Sequence, residues 1–389
     1  ALSSAASDVY KRQQINSMKY ILFCFIALNI IACTSQKESY TQEQLYEKMS
    51  SGVVLVQNTY NYKVSNEKYS SYYILTTRDR YTCHKYDYQT YDSIKENYNN
   101  TIYGTGFFLN NKQTIITNSH VINPTIDTVQ LCNSIKAHLI NEIEKHTKLL
   151  DVNIELKSYC INKLYNNESL SNLEREFFNK CDEYIKTQRD ISTELLKELQ
   201  DEDFEKNYKI RIDAQIGVAL NGNKISSNKD FEKVTVIKDV PNYDLGIIAP
   251  FGITSYVFSN SDENYKNRYV FKLPNETNNS KSNEELKLYM IGFNRGPNLA
   301  LTNEGIKAQI TQGNISQNTD SIKIMYSIPA LQGSSGSPVV NQYGELVAVN
   351  FAGISTTQGF NYGIKAERLK EILNDTGIQE RINAVNRQE

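Results

Sequence analysis

The stretch GTGFFLNNKQTIITNSHVI, residues 104–122, limits the possible folds of this chain more than any other stretch. GTGFFL has the composition of a β-strand, NNKQ that of a turn, and TIITNSHVI that of a strand passing into a short helical turn. The pattern predicts a β-hairpin that places His120 at a strand end. The other histidines are less suited to chemistry. His138 and His146 lie in a charged, helical-looking stretch, and His84 lies in a polar, tyrosine-rich region.

A second apolar segment supplies an acid. VPNYDLGIIAP, residues 240–250, places Asp244 directly before the predicted strand Leu245–Ile248. A carboxylate in this position is expected to be largely buried, where it could hold an imidazole ring through a hydrogen bond. The alternative is an aspartate that closes a turn, which is the commonest use of aspartate before a strand.

The third candidate segment is LQGSSGSPVV, residues 331–340, which offers Ser334, Ser335 and Ser337. A glycine- and serine-rich loop is often only a flexible turn before a strand. Here a histidine and an aspartate precede it along the chain, so the order His, Asp, Ser favours a nucleophile over a plain turn.

These segments resemble those of a trypsin-like (chymotrypsin-fold) bacterial serine protease, similar to the glutamyl endopeptidases and the high-temperature-requirement proteases. The matching segments span roughly residues 51–375. They are GTGFF, TNSH, DLGII, LYMIGF (288–293), GSSGSP (333–338) and GFNYGIKAERL (359–369). The resemblance implies an all-β fold with two six-stranded β-barrels, which here carry an inserted α-helical hairpin and a C-terminal helix.

The resemblance also implies a role for each site residue. Ser335, the central residue of the G-x-S-G-x-P motif, would be the nucleophile. His120 would be its base, Asp244 would orient the imidazole, and the backbone N–H groups of Gly333 and Ser335 would form the oxyanion hole. The expected activity is that of a serine endopeptidase acting on a protein or peptide substrate, with no cofactor and no metal. The alternative is a catalytically silent protease-fold protein that uses the helical insertion to dock a partner.

Two serines depart from the pattern of the family. Ser334 stands where animal trypsins carry the aspartate that pairs with a freed N-terminal amine, so we expect no activation by insertion of an N-terminus. Ser337 stands where most members have glycine. The glutamyl endopeptidases also carry serine there, so this departure does not argue against activity.

The resemblance places Pro329, Ala330 and Asn350 at positions that determine side-chain specificity. None of them supplies a charge, which favours a pocket for small or medium apolar side chains. Phe351–Gly353 is expected to form the edge that pairs with substrate backbone as an added strand.

His120 and Asp244 are unusually far apart in sequence, and the excess has a helical pattern. It predicts a helical hairpin over residues 130–205 with a capping box formed by Ser171 and Glu174. The pattern is set by apolar residues recurring every four positions, such as Leu131, Ile135, Leu139 and Ile143. The hairpin is either an inert elaboration or a lid or partner-docking arm, and Cys160 and Cys181 at its turn could form a disulfide. A second, tyrosine-rich insertion over residues 61–101 has no predicted function.

The N-terminal region indicates export. From Met18 the chain reads MKYILFCFIALNIIAC, with an apolar run that is too short to span a bilayer and an ending that resembles a lipobox. We therefore expect a lipoprotein signal peptide over residues 18–32 and lipidation of Cys33. An uncleaved signal anchor and a plain secretory signal are the alternatives. Residues 1–17 precede the signal and are expected to be a non-native prefix.

The remaining expectations concern partners and location. A polar tether is expected over residues 33–50 and a C-terminal tail over residues 376–389. The protein would be exported and lipid-anchored to a bacterial membrane, in the periplasm or at the cell surface. The formal net charge is −2 and no basic stripe is evident, so nucleic acid is not an expected partner.

Overall fold

The computed structural model describes most of the chain from residue 39 to residue 385. The described ranges are 39–76, 82–86, 88–110, 114–250, 263–274, 286–317, 320–353, 359–374 and 376–385. The predicted prefix, the signal peptide and the lipidated Cys33 therefore lie outside the described residues. Within those ranges, no helix combines the length and the apolar character that a membrane crossing needs.

Six antiparallel strands close the first barrel. They are β1 (Val53–Asn66), β4 (Asn100–Phe108), β5 (Ile115–Thr117), β6 (Tyr208–Leu220), β7 (Glu232–Val240) and β8 (Leu245–Pro250). Their spatial order is β1-β4-β5-β8-β7-β6, and β6 pairs back with β1. Strand β1 is long enough to pair with β4 on one side and with β6 on the other, which leaves no open edge in this barrel.

A second set of six antiparallel strands closes the other barrel. They are β9 (Lys287–Gly292), β12 (Gln309–Gln317), β13 (Lys323–Tyr326), β14 (Pro338–Asn341), β15 (Leu346–Gly353) and β16 (Asn361–Lys365). Their order is β12-β13-β16-β15-β14-β9, and β9 pairs back with β12. The predicted trypsin-like fold of two six-stranded β-barrels is confirmed.

Short elements connect or extend the barrels. They are α1 (Gln42–Met49), β2 (Ser71–Thr76), β3 (Thr82–Lys85), α2 (Tyr91–Ile94), α3 (Ser119–Ile122), α6 (Glu263–Lys266), α7 (Pro297–Ala300), β10 (Leu301–Thr302), β11 (Gly305–Ile306), α8 (Glu367–Leu373) and α9 (Thr376–Val385). Helix α8 is the predicted C-terminal helix, and Leu369 and Ile372 bury its apolar side in the main core. Helix α9 shows that most of the expected C-terminal tail is helical.

Helix α1 corrects part of the expected tether. Thr41 begins this helix with a reciprocal capping box, and Leu45 and Met49 are fully buried against the barrels. The backbone N–H of Tyr40 also donates to Gln342 O at 2.8 Å. Residues from about Tyr40 onward therefore belong to the folded body, because two large apolar side chains gain more from burial than from exposure in a linker.

The predicted helical hairpin is present, with α4 (Thr128–Tyr165) and α5 (Asn172–Leu199) as its two arms. The capping box is formed as predicted, since the Ser171 hydroxyl accepts from the Glu174 N–H while the Glu174 carboxylate accepts from the Ser171 N–H. A long helix pair of this kind needs a partner surface at its base, because isolated helices gain most of their stability from packing.

The tyrosine-rich insertion provides that partner surface. It prolongs β1 and adds β2 and β3 to the edge of the first barrel, and the base of the hairpin packs on these strands. We call the second half of β1, strands β2 and β3, and the hairpin bases the insertion lobe. Its core contains Tyr60, Tyr62, Val64, Tyr73, Leu75, Cys83, Leu131, Cys132, Ile135, Leu139, Leu195, Phe204 and Tyr208. The two insertions, separate in sequence, thus form one structural unit.

The possible disulfide between Cys160 and Cys181 is not formed. Both are buried free thiols, as are the two other cysteines in the described part of the chain. Each thiol instead contacts a backbone oxygen of α5, Cys160 Sγ at 4.0 Å from Glu174 O and Cys181 Sγ at 3.1 Å from Phe178 O.

Candidate active site

Helix α3 carries His120, and polar side chains from β1 and β7 fix this short helix at both ends. The Asn58 amide donates to the carbonyl oxygens of Val121 and Ile122 at 2.9 and 3.1 Å. On the other side, Asp239 accepts from the Ser119 hydroxyl at 2.5 Å and from the Asn123 amide at 2.9 Å. A one-turn helix has almost no stability of its own, so these contacts hold the histidine backbone in place.

Asp244 contacts His120 through both of its carboxylate oxygens. Asp244 Oδ2 lies 2.8 Å from His120 Nδ1, and Asp244 Oδ1 accepts from the His120 backbone N–H at 3.0 Å. Because the carboxylate is an acceptor, the Nδ1 atom carries the proton, which leaves the Nε2 lone pair free to act as a base. The side chains are 38% exposed for His120 and 23% for Asp244, so the pair is reachable from solvent yet shielded.

The backbone at Asp244 explains how it reaches the histidine. Asp244 follows a tight turn over Pro241–Tyr243 and has the left-handed conformation, with φ of 49°. Aspartate and asparagine tolerate this conformation better than most residues. The Asn118 amide donates to Asp244 O at 2.8 Å and fixes it. The sequence predicts a carboxylate directly before β8, and the structure shows it facing His120.

The loop before β14 brings Ser335 against the first barrel. Ser335 O accepts from the Thr105 N–H of β4 at 2.7 Å, and the Thr105 hydroxyl donates to Gly333 O at 2.9 Å. A Cβ placed on Gly104 would lie 2.7 Å from Val121 and 3.2 Å from Ser335 O. The loop and the helix of His120 therefore meet at Gly104. No hydrogen bond from Ser335 Oγ occurs within the described residues, and in enzymes free of substrate this bond is often long.

Burial distinguishes the three candidate serines. Ser334 is 2% exposed and its hydroxyl donates to Leu331 O at 2.6 Å. Ser337 is fully buried, and its oxygen would lie 1.9 Å from a Cβ placed on Gly292. Ser335 alone of the three is partly exposed. It is therefore the one serine of this loop that a substrate could reach.

The loop also presents two backbone donors. The N–H groups of Ser334, Gly336 and Ser337 donate to carbonyl oxygens of the protein. In the part of the chain that the structure describes, the N–H groups of Gly333 and Ser335 have no such acceptor. Gly333 has φ of 98°, and a Cβ there would lie 2.5 Å from Phe293 O. Only glycine fits this turn. The turn leaves two free N–H donors, on Gly333 and Ser335, with one residue between them.

The residues expected at the specificity pocket divide into two groups. Pro329 is exposed, and Ala330 and Phe351 are partly buried, so all three can contact a ligand. Asn350 differs from the expectation, because it is 2% exposed and its side chain is committed to internal hydrogen bonds. Its amide nitrogen donates to Ser334 and its oxygen accepts from Tyr326. The side chain therefore offers no polar group to a substrate.

The expected substrate-pairing edge is available on β15. Val349 is the last residue of β15 to pair with β14, after which Asn350 exchanges backbone bonds with Gly336 and Ser337. A bulge follows, and Phe351–Gly353 continues to pair with β16 on one side only, as far as the described residues show. The opposite edge lies beside the serine loop, where an extended peptide could add as a strand.

Sequence reasoning missed the residues that hold α3. Asn58 and Asp239 lie on β1 and β7, far from His120 in sequence, and neither belongs to a motif. The only available signal was the polar pair Gln57 and Asn58 at the end of the apolar run GVVLV, since polar side chains within a buried strand need specific partners.

Comparison with known proteins gives a family match over part of the chain. Residues 209–349 match the family model of the trypsin-like peptidase domain, a stretch that contains Asp244, Gly333 and Ser335 and begins after His120. The fold is similar to the crystal structure of the serine endoprotease from Yersinia pestis, with a TM-score of 0.41 and 13% sequence identity, over 89% of this chain and 68% of that one. The search among curated proteins gave no match.

Proposed function

We propose that this protein is a serine endopeptidase that cleaves peptide bonds through an acyl-enzyme intermediate on Ser335. The observation that carries the proposal is the combination of the two-point Asp244–His120 contact with two free N–H donors on the serine loop. Each feature alone has structural explanations. Together they supply a base, its orienting acid and a site for a developing negative charge.

In each half of the proposed reaction, His120 first accepts a proton and then donates it. Ser335 Oγ attacks the substrate carbonyl carbon while His120 Nε2 takes the hydroxyl proton. The carbonyl oxygen becomes negative and accepts from the N–H groups of Gly333 and Ser335. The C–N bond then breaks, and His120 returns the proton to the leaving amine. Water attacks the ester by the same route and releases the acid.

Labelling with a fluorophosphonate tests this proposal. The wild-type protein should be labelled on Ser335 and should hydrolyse casein, whereas Ser335→Ala should lose labelling and about 10⁶-fold in turnover. Ser337→Ala is the matched control, because Ser337 is buried and its hydroxyl has no partner among the described residues, and it should still be labelled. A folded wild-type protein that is labelled no more than Ser335→Ala would disprove the proposal.

We further propose that the enzyme is exported and anchored to a bacterial membrane by lipid on Cys33. The apolar run before Cys33 and its lipobox-like end support this proposal. Several acyl chains would make attachment stable, since one chain is marginal. Metabolic labelling with a fatty acid in a bacterial host should mark the wild-type protein. Cys33→Ala should lose the label, and retention of label by this variant would contradict the proposal.

A silent binding protein remains the second candidate, and the outer part of the hairpin favours it. Leu149, Val152, Leu156 and Tyr159 recur on one stripe of α4, and each is at least 43% exposed. Large apolar side chains exposed together are typical of binding surfaces. The fluorophosphonate experiment separates the two candidates, because a binding protein without a competent serine stays unlabelled while folded.

A further inference from the structure

The orientation of the two free N–H donors is determined by the carbonyl groups that precede them. In a trans peptide the C=O and the following N–H point in opposite directions. Gln332 O accepts from the Arg295 N–H at 2.6 Å, which turns the Gly333 N–H away from Arg295. In the same way, whatever binds Ser334 O determines where the Ser335 N–H points.

Asn350 is the side chain that binds Ser334 O. Its Nδ2 atom donates to Ser334 O at 3.0 Å and lies 3.2 Å from Ser334 Oγ. The backbone N–H of Ser337 also donates to Ser334 O at 3.0 Å. Asn350 thus contacts the Ser334–Ser335 peptide from β15. It binds the carbonyl oxygen of that peptide, and the free Ser335 N–H points to the opposite side.

Tyr326 in turn fixes Asn350. The fully buried Tyr326 hydroxyl donates its one proton to Asn350 Oδ1 at 2.8 Å, with the Tyr362 backbone oxygen at 3.1 Å as the weaker second acceptor. This contact assigns the amide, because its oxygen faces a hydroxyl donor and its nitrogen faces two oxygen acceptors. Burial raises the pKa of Tyr326 well above its ordinary value, so the hydroxyl keeps the proton that it donates.

We propose that Asn350 is a positioning residue for the oxyanion hole and that it orients the Ser334–Ser335 peptide from β15 through Ser334 O. This inference rests on the proposed function. It explains how the backbone of the serine loop is held in place although Ser334 replaces the aspartate that animal trypsins carry at this position. Asn350 touches no substrate in this role, so its effect is on the transition state, where the oxyanion forms.

Steady-state kinetics on Asn350→Ala and Asn350→Asp test the role. The substrate is a short peptide p-nitroanilide with alanine at the scissile position, and the inhibitor is the matching peptidyl boronic acid. Removing a whole oxyanion donor costs about 10²–10³ in kcat, and misorienting one should cost about 10–100-fold. We expect that loss in kcat with KM nearly unchanged, and an equal loss of boronate affinity. Asn350→Asp keeps the shape but removes both donors to Ser334.

Asn341→Ala is the matched control. Asn341 is also a buried asparagine of the second barrel, but its side chain bonds within the β14–β15 turn to Tyr343 and Glu345. It should lose stability without a loss in kcat. Tyr326→Phe removes one contact of Asn350 and should fall between the two. In all variants that fold, the pH at which activity falls on the acid side should stay the same, because the His120–Asp244 pair is untouched.

Several results would overturn the inference. One is a kcat for Asn350→Ala no lower than that of Asn341→Ala, and another is a loss confined to KM. If the wild-type protein neither hydrolyses nor is labelled, the proposed function fails on its own. The crystal structure of Asn350→Ala then decides the positioning role, and an unchanged Gly333–Ser335 backbone in that structure would refute it.

Discussion

The candidate active site lies where helix α3, Asp244 and the serine loop meet, and we call this region the cleft. The cleft and the insertion lobe share strand β1 but are built differently. The first half of β1, with Val53–Val56 fully buried, supports the barrel beneath His120. The second half, with Tyr60, Tyr62 and Val64, supports the hairpin. The cleft depends on backbone groups placed by glycine turns and short polar side chains. The lobe depends on large side chains that meet around a single carboxyl group.

That carboxyl group belongs to Glu198 on α5, which is 2% exposed. It accepts from the hydroxyls of Tyr208 at 2.7 Å and Tyr73 at 3.2 Å, and also from the Ser71 hydroxyl. Burial is the main cause that raises the pKa of Tyr73 and of Tyr208, so both phenols stay donors. The polar groups of the cleft are therefore arranged for the proposed reaction. The polar centre of the lobe, by contrast, attaches the hairpin to strands β2 and β6. Mutations in the two regions should separate activity from stability.

Among the variants that compare the two regions, Asp244→Asn should produce the largest effect, and it should be on activity alone. Asparagine fits the left-handed backbone at this position, so the fold should be kept. An amide next to His120 Nδ1 would favour the wrong tautomer, for which kcat losses of about 10⁴ are typical. The measurements are kcat on a peptide substrate and the thermal midpoint of unfolding.

Asp239→Asn is the control for this prediction. Asp239 also binds the helix of His120, through Ser119 and Asn123, but it does not touch the imidazole. It should lose less than about 10-fold in kcat. Equal losses in the two variants would mean that holding α3, rather than orienting the imidazole, is the main requirement.

Glu198→Ala should show the opposite behaviour. The change leaves the buried hydroxyls of Ser71, Tyr73 and Tyr208 without their acceptor and should lower the free energy of unfolding by about 3 kcal/mol. Where the protein is still folded, kcat should stay within about twofold of wild type, because no residue of the cleft contacts this site. Denaturant titration and initial rates at low temperature measure the two quantities.

Glu194→Ala is the matched variant one helical turn away. Glu194 is exposed and pairs with Lys197 in solvent, so its removal should change stability by no more than about 0.5 kcal/mol. A large loss of kcat in folded Glu198→Ala would break the separation between the regions. It would show that a change in the insertion lobe alters catalysis in the cleft.

The same contrast explains what could be predicted from the sequence. The turns around Gly333 and Asp244 need particular residues at adjacent positions, so a short motif reports them directly. The capping box of Ser171 and Glu174 was predictable for the same reason. These features are local, and local backbone requirements leave a clear trace in sequence.

Contacts between distant segments left no such trace. The packing of the tyrosine-rich insertion on the hairpin joins Tyr73 to Leu195, and nothing in either segment specifies the other. Asn350 was assigned to the pocket by position, while its contact with Ser334 depends on where the serine loop lies against β15. The sequence of β15 does not specify which distant loop its buried polar side chain will contact.

The smallest predicted effect is a pH dependence confined to the insertion lobe. Burial lowers the pKa of His138 on α4. Nearby His84 and Lys85 lower it further, while Glu142 and Glu198 act in the opposite direction. The ring lies 5.8 Å from Tyr73, and its Nε2 atom is buried without a partner among the described residues. The fold therefore favours the neutral imidazole.

The sign of the effect follows from this preference. Below the ordinary histidine pKa of about 6.5 the unfolded chain binds a proton that the folded lobe resists, so stability falls as the pH drops through that value. The protection factors of amides in α4 and β2, which correct for the slower intrinsic exchange at lower pH, should fall between pH 7.5 and 5.5, and His138→Gln should reduce that fall. His146→Gln is the control, because His146 bonds to Gln188 farther along the hairpin, and it should behave as wild type. An equal fall in protection in all three proteins would assign the pH dependence to other groups and remove this distinction between lobe and cleft.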